Sequence, residues 1–337
     1  MKHIVILLSI LLTMGCTQKN HFEYPETKKV DVTDNYFGTE VPDPYRWLED
    51  DMSEETAAWV EAQNKVTYSY LESIPFADEL KQRLTEIWNY PKMGIPNKEN
   101  ELYFYSYNTG LQNQSVLYVK KELDEEGTVF LDPNTFSEDG TIALSAFSVS
   151  NDGKYAGYGI SRAGSDWQEF FVREIETGKD LDDHLMWIKS SGISWLKNGF
   201  FYSRYDKPAE GEELKGENKN SKVFYHHLNI PQSEDILVYK DEAHPYRSFG
   251  IGVTEDEAYM ILHAHETTSG NAFAFRKAGL GNEPFTWLEE GFDHDFSPIG
   301  NVEHLLYVHT NMDAPRYQLI VIDLNQPERD NWKTVIP

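Results

Sequence analysis

A two-strand unit that recurs five times constrains this chain more than any bulk property. Its clearest copy runs from Ser148 to Thr177. Asp152-Gly153 there reads as a tight hairpin turn, because such turns need positive φ and Gly adopts it at little cost. Tyr155 to Tyr158 follows, then a second aromatic and β-branched run, Phe170-Phe171-Val172, closed by Glu176-Thr177-Gly178. The first run recurs as Leu102 to Tyr105, Phe200 to Tyr202, Tyr259 to Leu262 and Leu305 to Val308. The second recurs around Leu117, Val172, Tyr225, Phe275 and Ile320, at intervals of roughly 50 residues. Short strands repeating at that period predict propeller blades, with a β-sandwich as the competing arrangement. The expected fold is therefore mainly β, with about five blades over residues 91–337.

The residues before the blades read differently. Lys2 followed by the apolar stretch Ile4 to Leu12 fits a signal peptide over residues 1–15 and is short for a membrane span. Met14-Gly15-Cys16 is similar to a bacterial lipobox, although Thr13 stands where Leu is preferred. Lipidation is thus expected on Cys16, the only cysteine, which also excludes an internal disulfide. Residues 16–31 are polar and read as a tether. Pro42 and Pro44 bar a helix through that stretch, so Asn35 to Asp50 is expected to be extended. Two helices should follow within residues 32–90. Ser53 is the N-cap of the first, with Trp59, Gln63, Val66 and Tyr70 on one face. Pro75 opens the second, with Leu80, Leu84, Ile87 and Trp88 at helical spacing.

Fifty-six acidic against thirty basic residues give a formal net charge of −26. Nucleic acid is an unsuitable partner for such a surface. The segment Pro208 to Asn220, rich in Glu, Lys and Gly, reads as a solvated loop inserted in the third unit.

Catalytic signatures are sparse. The one Gly-x-x-x-Gly pair that could suggest a nucleophile elbow, Gly153 and Gly157, encloses Tyr155 and no serine. Phosphate-binding and dinucleotide glycine loops are missing, so no cofactor is expected. His263 and His265 would share a face of one strand, but without acidic or cysteine partners at ligand spacing they point to no metal. Asn113-Gln114-Ser115 matches a glycosylation sequon, which carries no weight beside a bacterial export signal. No catalytic, substrate-binding or metal residue is assigned from the sequence; Cys16 is the sole modification site.

Several longer motifs carry a family resemblance. Asp43-Pro44-Tyr45-Arg46-Trp47-Leu48-Glu49-Asp50 followed by Val60 to Lys65 resembles the start of prolyl oligopeptidases, as does Tyr107 to Gln114. Leu131-Asp132-Pro133-Asn134, Gly164-Ser165-Asp166-Trp167 and Gln232-Ser233-Glu234-Asp235-Ile236-Leu237 continue the match in order, from about Tyr24 to Pro337. The resemblance implies a seven-bladed propeller over an α/β-hydrolase domain, with the helical extension packed on the hydrolase. It also implies an enzyme that cleaves short peptides after proline through Ser, His and Asp, none of which has a matching position here. The chain is thus expected to be the N-terminal part of an exported prolyl endopeptidase, inactive alone and monomeric when full length. A stand-alone, membrane-anchored propeller that binds without catalysis is the alternative.

Overall fold

The structure is a computed structural model that describes residues 23–214 and 216–337. The expected signal peptide and Cys16 lie outside the described residues, as does the first half of the tether. The chain divides into two compact units, Met1–Asn89 and Tyr90–Pro337.

In the first unit, β1 (Thr33–Tyr36) and β2 (Thr39–Pro42) form a hairpin, a departure from the single extended segment expected there. Phe37 and Gly38 take positive φ at its turn, and the Gly38 amide donates to Asn35 Oδ1 at 2.8 Å. A single 3-10 turn, Arg46–Glu49, follows. Arg46 pairs with Asp43 at 2.7 Å and also with Asp34, so the first resemblance motif folds back on the hairpin. Helix α1 (Glu54–Glu72) is capped by Ser53, whose side chain accepts from the Thr56 amide at 3.2 Å. Helix α2 (Ala77–Trp88) begins two residues after Pro75. Its Leu80, Leu84, Ile87 and Trp88 lie on one face, each at least half-exposed.

The second unit is a β-propeller of five antiparallel blades. Blade I comprises β3 (Lys92–Met93), β4 (Asn97–Glu99), β5 (Leu102–Asn108), β6 (Val116–Lys120) and β7 (Thr128–Leu131). Strands β3 and β4 both pair with β5 and form one edge, interrupted around Pro96, which has no amide to donate to a ladder. Blade II comprises β8 (Ile142–Val149), β9 (Tyr155–Arg162), β10 (Gln168–Glu174) and β11 (Asp180–Ile188). Blade III comprises β12 (Ser194–Trp195), β13 (Gly199–Arg204), β14 (Lys222–His227) and β15 (Ile236–Lys240). Blade IV comprises β16 (Ser248–Val253), β17 (Tyr259–His265), β18 (Ala272–Lys277) and β19 (Thr286–Glu289). Blade V comprises β20 (Phe296–Val302), β21 (Leu305–Thr310), β22 (Gln318–Asp323) and β23 (Lys333–Ile336). In blades II to V the strands pair in simple chain order.

The core sits between blades. Successive side chains of a strand point to opposite faces, and in the middle blades both faces are covered. On β17, Met260, Leu262 and Ala264 pack toward blade III, whereas Ile261 packs toward blade V. On β13, Phe201 packs toward blade IV and Phe200 and Tyr202 toward blade II. Burial on both faces explains why these strands read as unbroken aromatic and aliphatic runs. Four clusters join I to II, II to III, III to IV and IV to V. Among the described residues no such cluster joins V to I. Their outward faces carry half-buried side chains instead, Tyr103, Tyr105 and Tyr118 on blade I and Leu305, Tyr307 and Leu319 on blade V.

Candidate functional site at the inner rim

The turn joining the first two strands of every blade holds one residue at positive φ: Asn100, Gly153, Lys197, Glu257 and Glu303, all between +50° and +75°. Only blade II uses glycine there, so four turns carry the modest strain of a side chain in the left-handed region. These turns are tied together. The Asn100 amide, oriented to satisfy both its ends, donates to Asn151 O at 3.1 Å and accepts from the Gly153 amide at 3.2 Å. Asn151 donates to Glu257 Oε1 at 2.7 Å, and the Lys197 amide reaches the same oxygen at 3.4 Å. Asn301 donates to Asp256 Oδ2 at 2.8 Å. A bond from blade II to blade IV that passes over the turn of blade III requires the blades to converge there. The first-strand edge is therefore the inner edge of the propeller, and these turns form its rim.

The rim is acidic, with Glu99, Glu101, Asp152, Glu255, Asp256, Glu257 and Glu303 on the turns or beside them. Burial pushes the Glu99 carboxyl up; a hydrogen bond from Asn97 opposes this, and the Glu255 charge on blade IV adds to it. Asp256 goes the other way. Burial raises it, but bonds from Thr254, Asn301 and the Ala258 amide hold it below the usual carboxylate range.

Openings reach the rim between blades I and II and between blades IV and V. The I–II opening, of about 890 Å³, has mixed charge, with Lys98, Lys121 and Lys154 among the acids. The IV–V opening, of about 540 Å³, has Gly252, Thr254 and Glu255 on one side and Pro298, Ile299 and Asn301 on the other. Ile261, Leu306 and His263 also line it. His263 makes no hydrogen bond with the described residues; burial and, to a lesser degree, the neighbouring His265 hold its ring down at about 4. His263 and His265 do share a face of β17, yet His265 is exposed at the strand end. Among the described residues no cluster of His, Cys, Asp or Glu could hold a metal ion.

A second polar centre, missed in the sequence, lies between blades II and III. His226 on β14 is 1% exposed. Its Nε2 lies 2.8 Å from Asp183 Oδ1 on β11, and its Nδ1 lies 2.7 Å from Asp235 Oδ1. Burial alone would lower this ring; the two carboxylates outweigh it and raise it to about 9, so both ring nitrogens donate. Tyr202 OH donates to Asp235 Oδ2 at 2.5 Å, and the Asn229 amide donates to Asp183 Oδ1 at 2.7 Å. Gln232 completes the join: its Oε1 accepts from the Met186 amide and its Nε2 donates to the Met186 carbonyl, both at 3.1 Å. Asp183 stands 43 residues from His226 and Asp235 nine, and the three carry no local signature. The only trace is that Gln232 and Asp235 belong to one of the resemblance motifs.

The other motifs prove equally architectural. Asn108 is buried and holds its own loop through Gly110 N and Gln112 O, at 2.9 Å each. Asn134 exchanges two bonds with the Gln114 backbone, at 2.9 and 3.0 Å. Trp167 donates from its indole to Glu213 O at 2.6 Å, tethering the inserted loop of blade III.

Comparison with known proteins gives a consistent result. Residues 24–337 match the family model described as prolyl oligopeptidase, N-terminal beta-propeller domain. A prolyl endopeptidase of Elizabethkingia meningoseptica is 44% identical over 324 residues, covering 96% of this chain and 46% of that protein. Prolyl oligopeptidase A of Amanita bisporigera is 36% identical over 365 residues, covering 96% of this chain and 47% of its own length. The structure of prolyl oligopeptidase B from Galerina marginata, bound to a 25mer macrocyclization substrate, superposes with a TM-score of 0.82 at 31% identity. That match covers 94% of this chain and 48% of the other. The chain spans about half the length of the curated relatives it matches.

Proposed function

This chain belongs to the prolyl oligopeptidase N-terminal β-propeller family, and on that premise we propose that it is the propeller part of a serine endopeptidase cleaving short peptides after proline. The propeller restricts access to a catalytic domain that supplies Ser, His and Asp. Serine attack on the carbonyl after proline gives an acyl-enzyme that water resolves. The observation that supports this reading lies in the end blades: blades I to IV each share an apolar cluster with the next blade, whereas among the described residues the outward faces of I and V share none with each other. Such faces suit further blades stacked on both sides. The half-exposed α2 face of Leu80, Leu84, Ile87 and Trp88 suits packing against the hydrolase.

A chimera tests this. The chain is joined to the remaining half of the Elizabethkingia meningoseptica prolyl endopeptidase and assayed on a proline p-nitroanilide peptide and on a folded protein. Hydrolysis of the peptide alone is expected. A folded but inactive chimera would overturn the reading, and so would labelling of this chain by itself with a serine-directed phosphonate. Export with lipidation of Cys16 belongs to the same proposal. Mass spectrometry of the mature N-terminus checks it, an unmodified Cys16 being the contrary result.

A further inference from the structure

The opening between blades IV and V has features that packing alone does not require. A bulge between Pro298 and Gly300 lifts Ile299 out of its ladder, and this side chain lines the opening while 64% exposed. Opposite it, Gly252 has nothing within 4 Å of where a Cβ would stand. The space there is unfilled although the backbone of β16 would accept a side chain. Pro298 and Ile299 give the opening an apolar wall, and Ile261 and Leu306 lie buried beneath it. His263 brings an imidazole that makes no hydrogen bond with any described residue, and Glu255 at the rim makes no hydrogen bond or ion pair with one either. Asp256 beside it is already fixed by Thr254 and Asn301. The opening thus offers an apolar wall, a neutral donor and acceptor, and one uncompensated carboxylate at its edge.

We infer that this opening is a binding site for the free amino end of a peptide, with the α-ammonium at Glu255, the first side chain against Pro298 and Ile299, and the first peptide group at His263. Charge complementarity selects the occupant. A carboxylate would meet Glu255 and Asp256, whereas an ammonium meets the one acid left unpaired. The neutral state of His263 fits this role, since an imidazolium there would repel the incoming cation. Apolar lining with a few convergent polar groups is the usual make-up of a small-ligand site. The inference deepens the peptidase reading by naming where a peptide is held before it reaches the catalytic domain.

The test uses this chain alone, so its outcome is independent of the chimera's activity. The His263 ring resonance is assigned by its loss in His263→Phe and followed at pH 7 while Leu-Ala-amide is added. Saturable displacement of that resonance is expected, with N-acetyl-Leu-Ala-amide at least about tenfold weaker because its ammonium is gone. Gly252→Leu, which fills the opening from a position with room for a side chain, abolishes the response. Glu255→Gln weakens it about fivefold and leaves the fold intact, because the side chain is exposed. No displacement, equal displacement by the acetylated peptide, or a response that survives Gly252→Leu would each overturn the inference.

Discussion

The II–III and IV–V interfaces each enclose a histidine, and the two rings end in opposite charge states. Burial drives both toward the neutral form. Between II and III, Asp183 and Asp235 reverse that drive and His226 is raised to about 9. Between IV and V no carboxylate among the described residues bonds to His263, His265 adds a small repulsion, and the ring is lowered to about 4. One interface uses its polar residues to close itself. The other keeps open volume and a spare donor. Two interfaces of one repeat, built from similar strands, therefore separate into a joint and a site. What separates them is whether the histidine ring finds carboxylate partners inside the fold.

Substitution should separate them most sharply. His226→Leu leaves Asp183 and Asp235 buried without their cation, and breaking a buried pair from one side costs on the order of 3–5 kcal/mol. His263→Leu removes a ring that makes no bond, so the change is expected to stay within about 1 kcal/mol. Urea midpoints followed by tryptophan fluorescence give both values, and comparable losses at the two positions would break the contrast.

The pH dependence gives the next largest effect, with opposite signs. The folded pKa of His226 lies above its unfolded value near 6.5, so its contribution is complete below pH 6.5 and is lost as pH rises toward about 9. A shift of that size corresponds to about 3 kcal/mol. The folded pKa of His263 lies below the unfolded value, so its contribution holds above pH 6.5 and is lost as pH falls toward about 4. Its partial exposure reduces that loss to roughly 2 kcal/mol. Stability measured from pH 4 to 9.5 should therefore decline at both ends. His226→Leu should flatten the alkaline limb alone and His263→Leu should soften the acid limb alone. A single variant that flattens both limbs would contradict the assignment.

The contrast also marks what a sequence can and cannot disclose. The five blades were legible because both faces of the middle strands are buried, which forces aromatic and β-branched runs between turn residues. Asp152-Gly153 was legible because glycine takes that positive φ without strain and so marks the turn. The β1–β2 hairpin was not, since Phe37 takes a positive φ that favours Gly or Asn, and its bulk disguised the turn. His226 was illegible for a different reason. Asp183 lies 43 residues away on blade II and meets it only once blades II and III have stacked, while Asp235 stands nine residues on within blade III and shows no spacing that marks a pair. The opening at Gly252 and Ile299 likewise arises from a bulge and an absent side chain on two different blades. The motifs that carried the family resemblance mark joints, through Asn108, Asn134, Trp167 and Gln232. They identify the scaffold without touching the rim.

Glycines provide the smallest and most local test. Gly157 on β9 faces blade III, where an added Cβ would stand 2.9 Å from Ile193 Cδ1 and 3.3 Å from Trp195 Cζ2. Trp195 cannot yield freely, because its indole donates to Ser148 O at 3.2 Å and its ring packs edge-on against Phe200 at 5.1 Å. Gly157→Ala should therefore cost about 1–3 kcal/mol, the usual penalty for overfilling a packed interior. Gly252→Ala places the same methyl in open space on a strand with no need for positive φ. Restricting the unfolded chain then dominates, and a gain of about 0.5 kcal/mol is expected. Paired denaturation curves for the two alanine variants measure the difference. A cost at Gly252 equal to that at Gly157 would mean that the IV–V opening collapses in solution. It would then be a packing gap that closes, with no standing volume to receive a ligand.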